Sequence, residues 1–234
     1  MFPIRDSQPT RTFPFVTIAL IVINLLIFIF IYFSAIAAPE PDLYLANVYM
    51  KFGLVPAKVF GTVPSGNVPW LLTFITSIFL HGSWSHVIFN MLYLWIFGNN
   101  IEDYLGHFHF VIFYLLAGIF SSLVQVIVMS QANVPIIGAS GAIAGVMGAY
   151  FLFFPRSKVR TLVVIIYFIT FIDVPAPVYL LIWFLLQLFE GFTSFGAATG
   201  TAFFAHVGGF IFGFLYALIV RAIYKRRRGY ESYF

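Results

Sequence analysis

The sequence predicts an all-α membrane protein: one domain over residues 1–234, built as a bundle of six transmembrane helices with a short fourth helix. Three observations support this fold class. Of the 234 residues, 62% are hydrophobic and 9% are charged, against roughly 25% charged residues in a soluble domain. The mean hydropathy is +0.99. Apolar runs long enough to cross a bilayer recur along the chain, separated by short polar or proline-containing segments.

The predicted spans begin and end at local breaks in the apolar pattern. Thr12 and Pro14 precede the first span and suit a helix start, while Asp173 and the segment PAP (175–177) precede the fifth. Residues 70–80 are too short to span, and residues 159–172 are interpreted as an interfacial piece. The six predicted spans are residues 15–37, 83–103, 108–129, 140–155, 176–193 and 202–223.

Basic residues predict the orientation of these spans. An even number of spans puts both termini on one side, and ten of the twelve lysine and arginine residues fall there, with only Lys51 and Lys58 on the other side. The positive-inside rule then predicts cytoplasmic termini. A compact core without a further span favours the plasma membrane of a bacterium or archaeon.

Composition also restricts the chemistry. The chain has no cysteine, which excludes disulfides and thiolate catalysis. The basic tail RAIYKRRRG (221–229) is interpreted as an anchor at anionic lipid headgroups rather than as a nucleic-acid site, so the lipid bilayer is a predicted partner and nucleic acid is not. No metal and no cofactor is predicted.

Three polar residues lie at one predicted depth within the spans. Each lies 15 or 16 residues from a charged residue at the predicted cytoplasmic end of its span. At 1.5 Å per residue, each is therefore about 22–24 Å from that boundary of a core ~30 Å thick. These residues are His86, Ser140 and His206. Asn90 follows His86 by four residues and so shares its helix face. Intramembrane polar residues are costly, which makes this set a candidate site.

Small residues indicate which spans touch. They recur every four residues along the fourth and sixth spans, a pattern that lets helix backbones approach closely in lipid. The two stripes are Gly141, Gly145 and Ala149, and Ala205, Gly209, Gly213 and Ala217. Because Ser140 heads one stripe and His206 adjoins the other, we expect their side chains to meet.

A serine and a histidine in contact predict nucleophilic catalysis. Ser140 would attack a carbonyl while the neutral imidazole of His206 takes its proton. The backbone N–H of Ser140 at a helix start, with His86 and Asn90, would stabilise the oxyanion. Glu190, the nearest candidate carboxylate, is placed closer to the boundary, which favours a dyad. Taken alone, Ser140 could be a helix cap, and His86 and Asn90 could be a helix-to-loop hydrogen-bonded pair.

Four segments carry the polar and small residues: HGSWSHVIFN (81–90), GNNIE (98–102), GASG (138–141) and AHVGGFIFG (205–213). Together they resemble the motifs of the rhomboid intramembrane serine proteases, over roughly residues 12–224. The resemblance implies a six-helix bundle with nucleophile Ser140 on the short fourth helix, base His206 on the sixth, and His86 and Asn90 at the oxyanion. His81, Gly98 and Glu102 are implied to be structural.

The resemblance also implies how a substrate is held. The substrate would be flanked by ANVPIIG (132–138) and the loop 194–201, and it would pair with such backbone as an added strand. The same loop and the top of the fifth span would form a lid and gate. Two positions depart from the pattern. Ala144 stands where several members carry an aromatic residue that stacks on the catalytic histidine, so Phe203 or Phe210 would have to supply that contact. The Trp-Arg pair that some members carry in their first loop is also missing.

The function expected from these residues is an intramembrane serine endopeptidase that cleaves transmembrane helices of membrane proteins near their outer ends. One alternative is a rhomboid-fold pseudoenzyme that binds membrane proteins or acts in their quality control. A second alternative, a small transporter, would be expected to show paired broken helices in related halves, and the sequence has no such pairing.

Overall fold

The fold is a helical bundle with a small sheet beside it. The computed structural model describes residues 2–64, 66–165, 168–193 and 202–227. The helices are α1 (Phe15–Ile36), α2 (Pro41–Phe52), α3 (Pro56–Val59), α4 (Trp70–Thr76), α5 (Trp84–Tyr93), α6 (Asn99–Leu105), α7 (His107–Val128), α8 (Ser140–Phe153), α9 (Ala176–Thr193) and α10 (Phe203–Arg227). The strands are β1 (Phe2–Asp6), β2 (Lys158–Ile165) and β3 (Phe168–Pro175).

The long apolar helices agree closely with the predicted spans. Within the described ranges, four helices are long and apolar enough to cross a membrane: α1, α7, α9 and α10. A fifth candidate is the bent pair Trp70–Phe79 and Trp84–Leu105, whose halves meet at 82°. Helix α8 has 14 residues, about 21 Å, and is shorter than a full span. The count of six spans therefore stays a prediction.

Helices α5 and α6 form one continuous rod. Ser83 begins it by accepting a hydrogen bond from the backbone N–H of His86, at 3.2 Å. A π-helical turn, Leu94–Gly98, joins α5 to α6. The preceding segment consists of α4 and a 3₁₀ turn at Ser77–Phe79, and it meets α5 at the 82° bend. By itself it is too short to span, as the sequence predicts.

The prediction of an all-α fold is wrong in one region. A three-stranded antiparallel sheet of order β1-β2-β3 forms instead, and residues 159–172, predicted as an interfacial piece, lie within β2, β3 and their connection. β2 and β3 are rich in β-branched and aromatic residues, which favour strands. The pairing of β2 with β1, in which Phe2 lies opposite Leu162, joins segments too distant in sequence for local patterns to reveal.

Strand β1 is fastened to the bundle through Asp6. Its carboxylate accepts hydrogen bonds from the Tyr150 hydroxyl of α8, at 2.6 Å, and from the side-chain amide of Asn100 on α6, at 2.7 Å. Burial raises the pKa of the Asp6 carboxyl above its ordinary value, because desolvation outweighs these hydrogen bonds.

A second buried carboxylate fastens α1 to α6. Glu102 accepts hydrogen bonds from the backbone N–H of Val16, at 2.9 Å, and from the N–H and hydroxyl of Thr17, both at 2.7 Å. His107 Nδ1 lies 2.5 Å from the same carboxylate. These contacts cap the first turn of α1, whose N–H groups have no partner within the helix. The structural part that the resemblance implies for Glu102 fits this geometry.

Helix α8 lies at the centre of the bundle and packs closely on α10. A Cβ atom at Gly209 would collide with the carbonyl oxygen of Gly141, and one at Gly213 would collide with that of Gly145. The two helices therefore run side by side from the same end, with backbone against backbone. This contact is the one that the small-residue stripes predict.

Candidate active site

Ser140 and His206 meet at the beginnings of α8 and α10. The Nε2 atom of His206 lies 2.7 Å from Ser140 Oγ, which is hydrogen-bonding distance. Both side chains are partly exposed. Ala139 caps α8, so the backbone N–H of Ser140 is the first of the helix and has no partner within it. The arrangement pairs a hydroxyl with an imidazole next to a free helix N-terminus.

The other ring nitrogen of His206 contacts a residue that the sequence reasoning missed. Gln187 of α9 places its amide Oε1 2.5 Å from His206 Nδ1. The amide nitrogen of Gln187 lies 3.4 Å from the carboxylate of Glu190, one turn further along α9. A glutamine inside an apolar span is itself a signal, because polar side chains are rare there.

Trp183 occupies the place that the sequence assigned to Phe203 or Phe210. Its ring centroid lies 5.9 Å from that of His206, with the planes inclined by 41°. Phe210 in turn packs against Trp183, at 6.3 Å between centroids. The aromatic neighbour of the histidine thus comes from α9, and Ala144 of α8 is buried in the core instead.

His86 reaches the site because Gly138 has no side chain. A Cβ atom at Gly138 would lie 2.7 Å from His86 Nε2 and 3.7 Å from Ser140 Oγ, and the φ of this glycine, +123°, is one that other residues rarely adopt. The ring of His86 stacks edge-on against that of His81, 5.0 Å away. His86 therefore stands beside the Ser140 hydroxyl.

Asn90 lies one turn below His86 and is buried. Among the described residues its amide nitrogen, Nδ2, has no hydrogen-bond partner. Asn90 is absent from the walls of the cavity at Ser140, whereas His86 and His206 line it. Buried polar groups without partners are uncommon and call for an explanation.

A cavity of about 330 Å³ opens at the serine. Its walls come from α5, α7, α8, α10 and the segment before α8, and its polar lining residues are Ser83, His86, Ser121, Ser122, Ser140 and His206. No three histidine, aspartate or glutamate side chains in the described part of the chain are grouped so that they could hold a metal ion. The chemistry that this lining offers is that of hydroxyls and imidazoles.

The segment before the serine is already held by residues that lie between α1 and α5. Leu54 and Ile136 exchange both backbone hydrogen bonds as an isolated bridge, and the N–H of Gly138 donates to the carbonyl of Ser77 at 2.9 Å. This extended backbone forms one rim of the cavity through Ile136 and Ile137. The other predicted flank, residues 194–201, lies outside the described residues.

The fold and site together define a class: a helical membrane protein with a serine–histidine pair beneath a polar cavity. The chain belongs to the rhomboid family, because the family model described as Rhomboid domain matches residues 69–223. That range includes Ser140, His206, His86 and Asn90.

Relatives of known name agree with this membership. The chain is 31% identical to "Rhomboid protein 1, mitochondrial" of Saccharomyces cerevisiae over 165 residues, which are 67% of this chain and 44% of that protein. It is 32% identical to the mouse "Presenilin-associated rhomboid-like protein, mitochondrial" over 68% of this chain and 40% of that protein. "Rhomboid-like protein 11, chloroplastic" of Arabidopsis thaliana is 37% identical over 34% of this chain and 28% of that protein. The chain spans less than half the length of these relatives.

The relatives correct the predicted location. The expectation of a bacterial or archaeal plasma membrane with cytoplasmic termini conflicts with matches to eukaryotic proteins that are named mitochondrial or chloroplastic. The prediction of this membrane rests on the compact core, and the number of spans carries no information on which membrane holds them. The basic-residue asymmetry likewise reports only which side of a membrane a loop prefers.

Proposed function

We propose that this chain is an intramembrane serine endopeptidase that uses Ser140 as nucleophile and His206 as base. The observation that carries the proposal is the 2.7 Å contact between His206 Nε2 and Ser140 Oγ at the wall of a cavity. A serine hydroxyl attacks an amide only when a base removes its proton, and this contact supplies one. Membership of the rhomboid family supports the same reaction class.

The reaction proceeds in two halves. In the first, Ser140 Oγ attacks the peptide carbonyl, its proton passes to His206 Nε2, and the tetrahedral intermediate collapses as that proton moves to the leaving amine. In the second, a water molecule in the cavity attacks the acyl-serine with His206 again as base. Atoms balance over the cycle, with one water consumed per peptide bond cleaved.

Two proposed donors lie beside the position where negative charge would develop, and Asn90 is a proposed third. The backbone N–H of Ser140 lies at the positive end of the α8 dipole, and the His86 ring lies beside Gly138, next to the Ser140 hydroxyl. The amide nitrogen of Asn90 has no partner among the described residues, which leaves it able to donate, although Asn90 does not line the cavity.

The proposed substrates are transmembrane helices of other membrane proteins. Their cut site lies near the membrane boundary on the side where α8 and α10 begin. A peptide bond within a helix is covered by the helix's own hydrogen bonds, so the substrate must unwind locally. Glycine and other weak helix formers near the bond lower that cost.

The test combines covalent labelling with cleavage. The full chain, purified in detergent, is treated with a fluorophosphonate and separately mixed with a model transmembrane substrate that contains glycine near one end. We expect labelling and cleavage by the wild type, and neither by Ser140→Ala or His206→Ala. Ser122→Ala is the matched control, because Ser122 lines the same cavity, and it should behave as the wild type.

Two outcomes would overturn the proposal. Labelling that persists in Ser140→Ala would assign the nucleophile elsewhere. A wild type that binds the model substrate without label or product would instead favour the binding or quality-control function of a rhomboid-fold pseudoenzyme.

A further inference from the structure

We propose that Gln187 is a positioning residue for the histidine base, an inference that rests on the proposed function. His206 has a neighbour at each ring nitrogen: Ser140 Oγ at 2.7 Å from Nε2 and Gln187 Oε1 at 2.5 Å from Nδ1. The three side chains come from α8, α10 and α9, which are separate helices. They form one hydrogen-bonded row that runs from the serine through the imidazole to the amide.

The orientation of the Gln187 amide follows from the chemistry of its neighbours. A carboxylate only accepts hydrogen bonds, so the amide nitrogen of Gln187 must face Glu190, at 3.4 Å. The amide oxygen is then turned towards His206. Because a carbonyl oxygen only accepts, the Nδ1 atom of His206 must carry a proton to make this contact.

That proton fixes the catalytic tautomer. A neutral imidazole carries one proton, and with it on Nδ1 the lone pair of Nε2 faces the Ser140 hydroxyl. The opposite tautomer would present an N–H to the serine and could not accept its proton. Gln187 thus performs the orienting part of a triad's carboxylate with an uncharged acceptor.

The competing explanation is that the half-buried Gln187 side chain only fills space where α9 packs against α10. The two explanations differ in what a substitution does. Leucine keeps most of the volume and removes the acceptor, while glutamate keeps an acceptor at the same reach. If only packing matters, Gln187→Leu is harmless, and Gln187→Glu is the damaging change because it introduces a charge at a half-buried position.

Kinetics separate these explanations. For cleavage of the model substrate we expect Gln187→Leu to lower kcat about 3- to 10-fold with KM unchanged, since the loss of one neutral hydrogen bond is of this size. Gln187→Glu should restore kcat to within about 3-fold of the wild type when combined with Glu190→Gln, which prevents two carboxylates from facing each other. Thr193→Val is the control, because the Thr193 hydroxyl donates to the carbonyls of Phe189 and Glu190 within α9. A Gln187→Leu enzyme with unchanged kcat would overturn the inference.

A spectroscopic measurement tests the pairing independently of activity. In the full chain labelled with ¹⁵N-histidine, with the His206 signals identified by their loss in His206→Gln, the nitrogen shifts report which ring atom carries the proton. We expect the Nδ1–H form in the wild type and a shift towards Nε2–H in Gln187→Leu. An unchanged tautomer in Gln187→Leu would overturn the inference. If the tautomer changes in Gln187→Leu but the wild type shows neither cleavage nor labelling, the proposed function is wrong and the pairing of Gln187 with His206 still holds.

Discussion

The carbonyl oxygen of Gly141 on α8 occupies the space where Gly209 on α10 would carry a side chain. Ser140 precedes one of these glycines directly, and His206 lies three residues, about one turn, before the other. The separation of the two helix backbones therefore sets the distance between the hydroxyl and the imidazole. Packing and catalysis depend on the same contact.

Gly209→Leu should separate α8 from α10 and destabilise the bundle. Overpacking of this kind costs about 1–3 kcal/mol, and a fall in Tm of roughly 5 °C is expected for a chain of this size, measured in one detergent. Labelling of Ser140 should fall with it. Ile211→Leu is the control, since Ile211 lies on the exposed side of the same helix. Equal Tm values for Gly209→Leu and the wild type would contradict the prediction.

The serine and the histidine could be predicted from sequence because several local signals coincided. Ser140 stood at the head of a glycine-rich helix, His206 adjoined a second small-residue stripe, and their depths matched. Gln187 and Trp183 were missed because no spacing ties α9 to the other two helices. Their separation of four residues does put them on one face of α9, and the glutamine is out of place in an apolar span.

The sheet shows the opposite limit of sequence reasoning. Strand β2 pairs with β1, which lies more than 150 residues earlier in the chain. The charge and hydropathy pattern of β2 also fits an interfacial segment, so the pattern alone does not identify a strand. The length of each helix, by contrast, follows from its own apolar run, which is why the predicted bounds of α1, α7 and α9 differ from the observed ones by at most one residue.

Glu102→Ala should weaken the attachment of α1 to α6. The change leaves the N–H groups of Val16 and Thr17 without their acceptor in a buried site, a loss of about 2 kcal/mol or more. Thermal unfolding should shift down by roughly 5 °C. Glu40→Ala is the matched control, because Glu40 caps α2 without a side-chain hydrogen bond. Equal shifts for both variants would count against the cap.

The pH dependence of stability should reveal Asp6. Because burial raises its pKa above 3.8, the folded chain holds this proton at higher pH than the unfolded chain does. The stabilising contribution is complete below about pH 3.8 and is lost as the pH rises through the folded value. Asp6→Asn, which can still accept from Tyr150, removes this dependence.

The Tm of Asp6→Asn minus that of the wild type should therefore be larger at pH 7.5 than at about pH 3.8. Thermal unfolding at both pH values, with the exposed Asp42→Asn as control, measures the difference. A gap between Asp6→Asn and the wild type that does not change with pH would refute the role given to burial.

Gly138→Ala should inactivate the site by moving His86. An alanine there is strained by the φ of +123°, at a cost of about 1–3 kcal/mol, and its Cβ would lie 2.7 Å from His86 Nε2. We expect labelling of Ser140 to slow at least about 10-fold. Gly61→Ala is the control for a positive φ without a neighbouring side chain, with φ +69° and no atom within 4 Å, so it should lose some stability without losing activity. Equal labelling by the two variants would show that the His86 contact is not needed.

Asn90→Ala should separate function from stability. Its amide nitrogen is buried without a partner in the described part of the chain, so its removal should leave the Tm nearly unchanged. If Asn90 donates to the oxyanion, kcat should fall about 10- to 1000-fold while KM changes little, as for other single-donor deletions. Asn24→Ala, which removes another buried amide, on α1 and away from the cavity, is the control and should leave kcat unchanged. A wild-type kcat in Asn90→Ala would remove this residue from the catalytic machinery and leave the Ser140 N–H and His86 as the oxyanion donors.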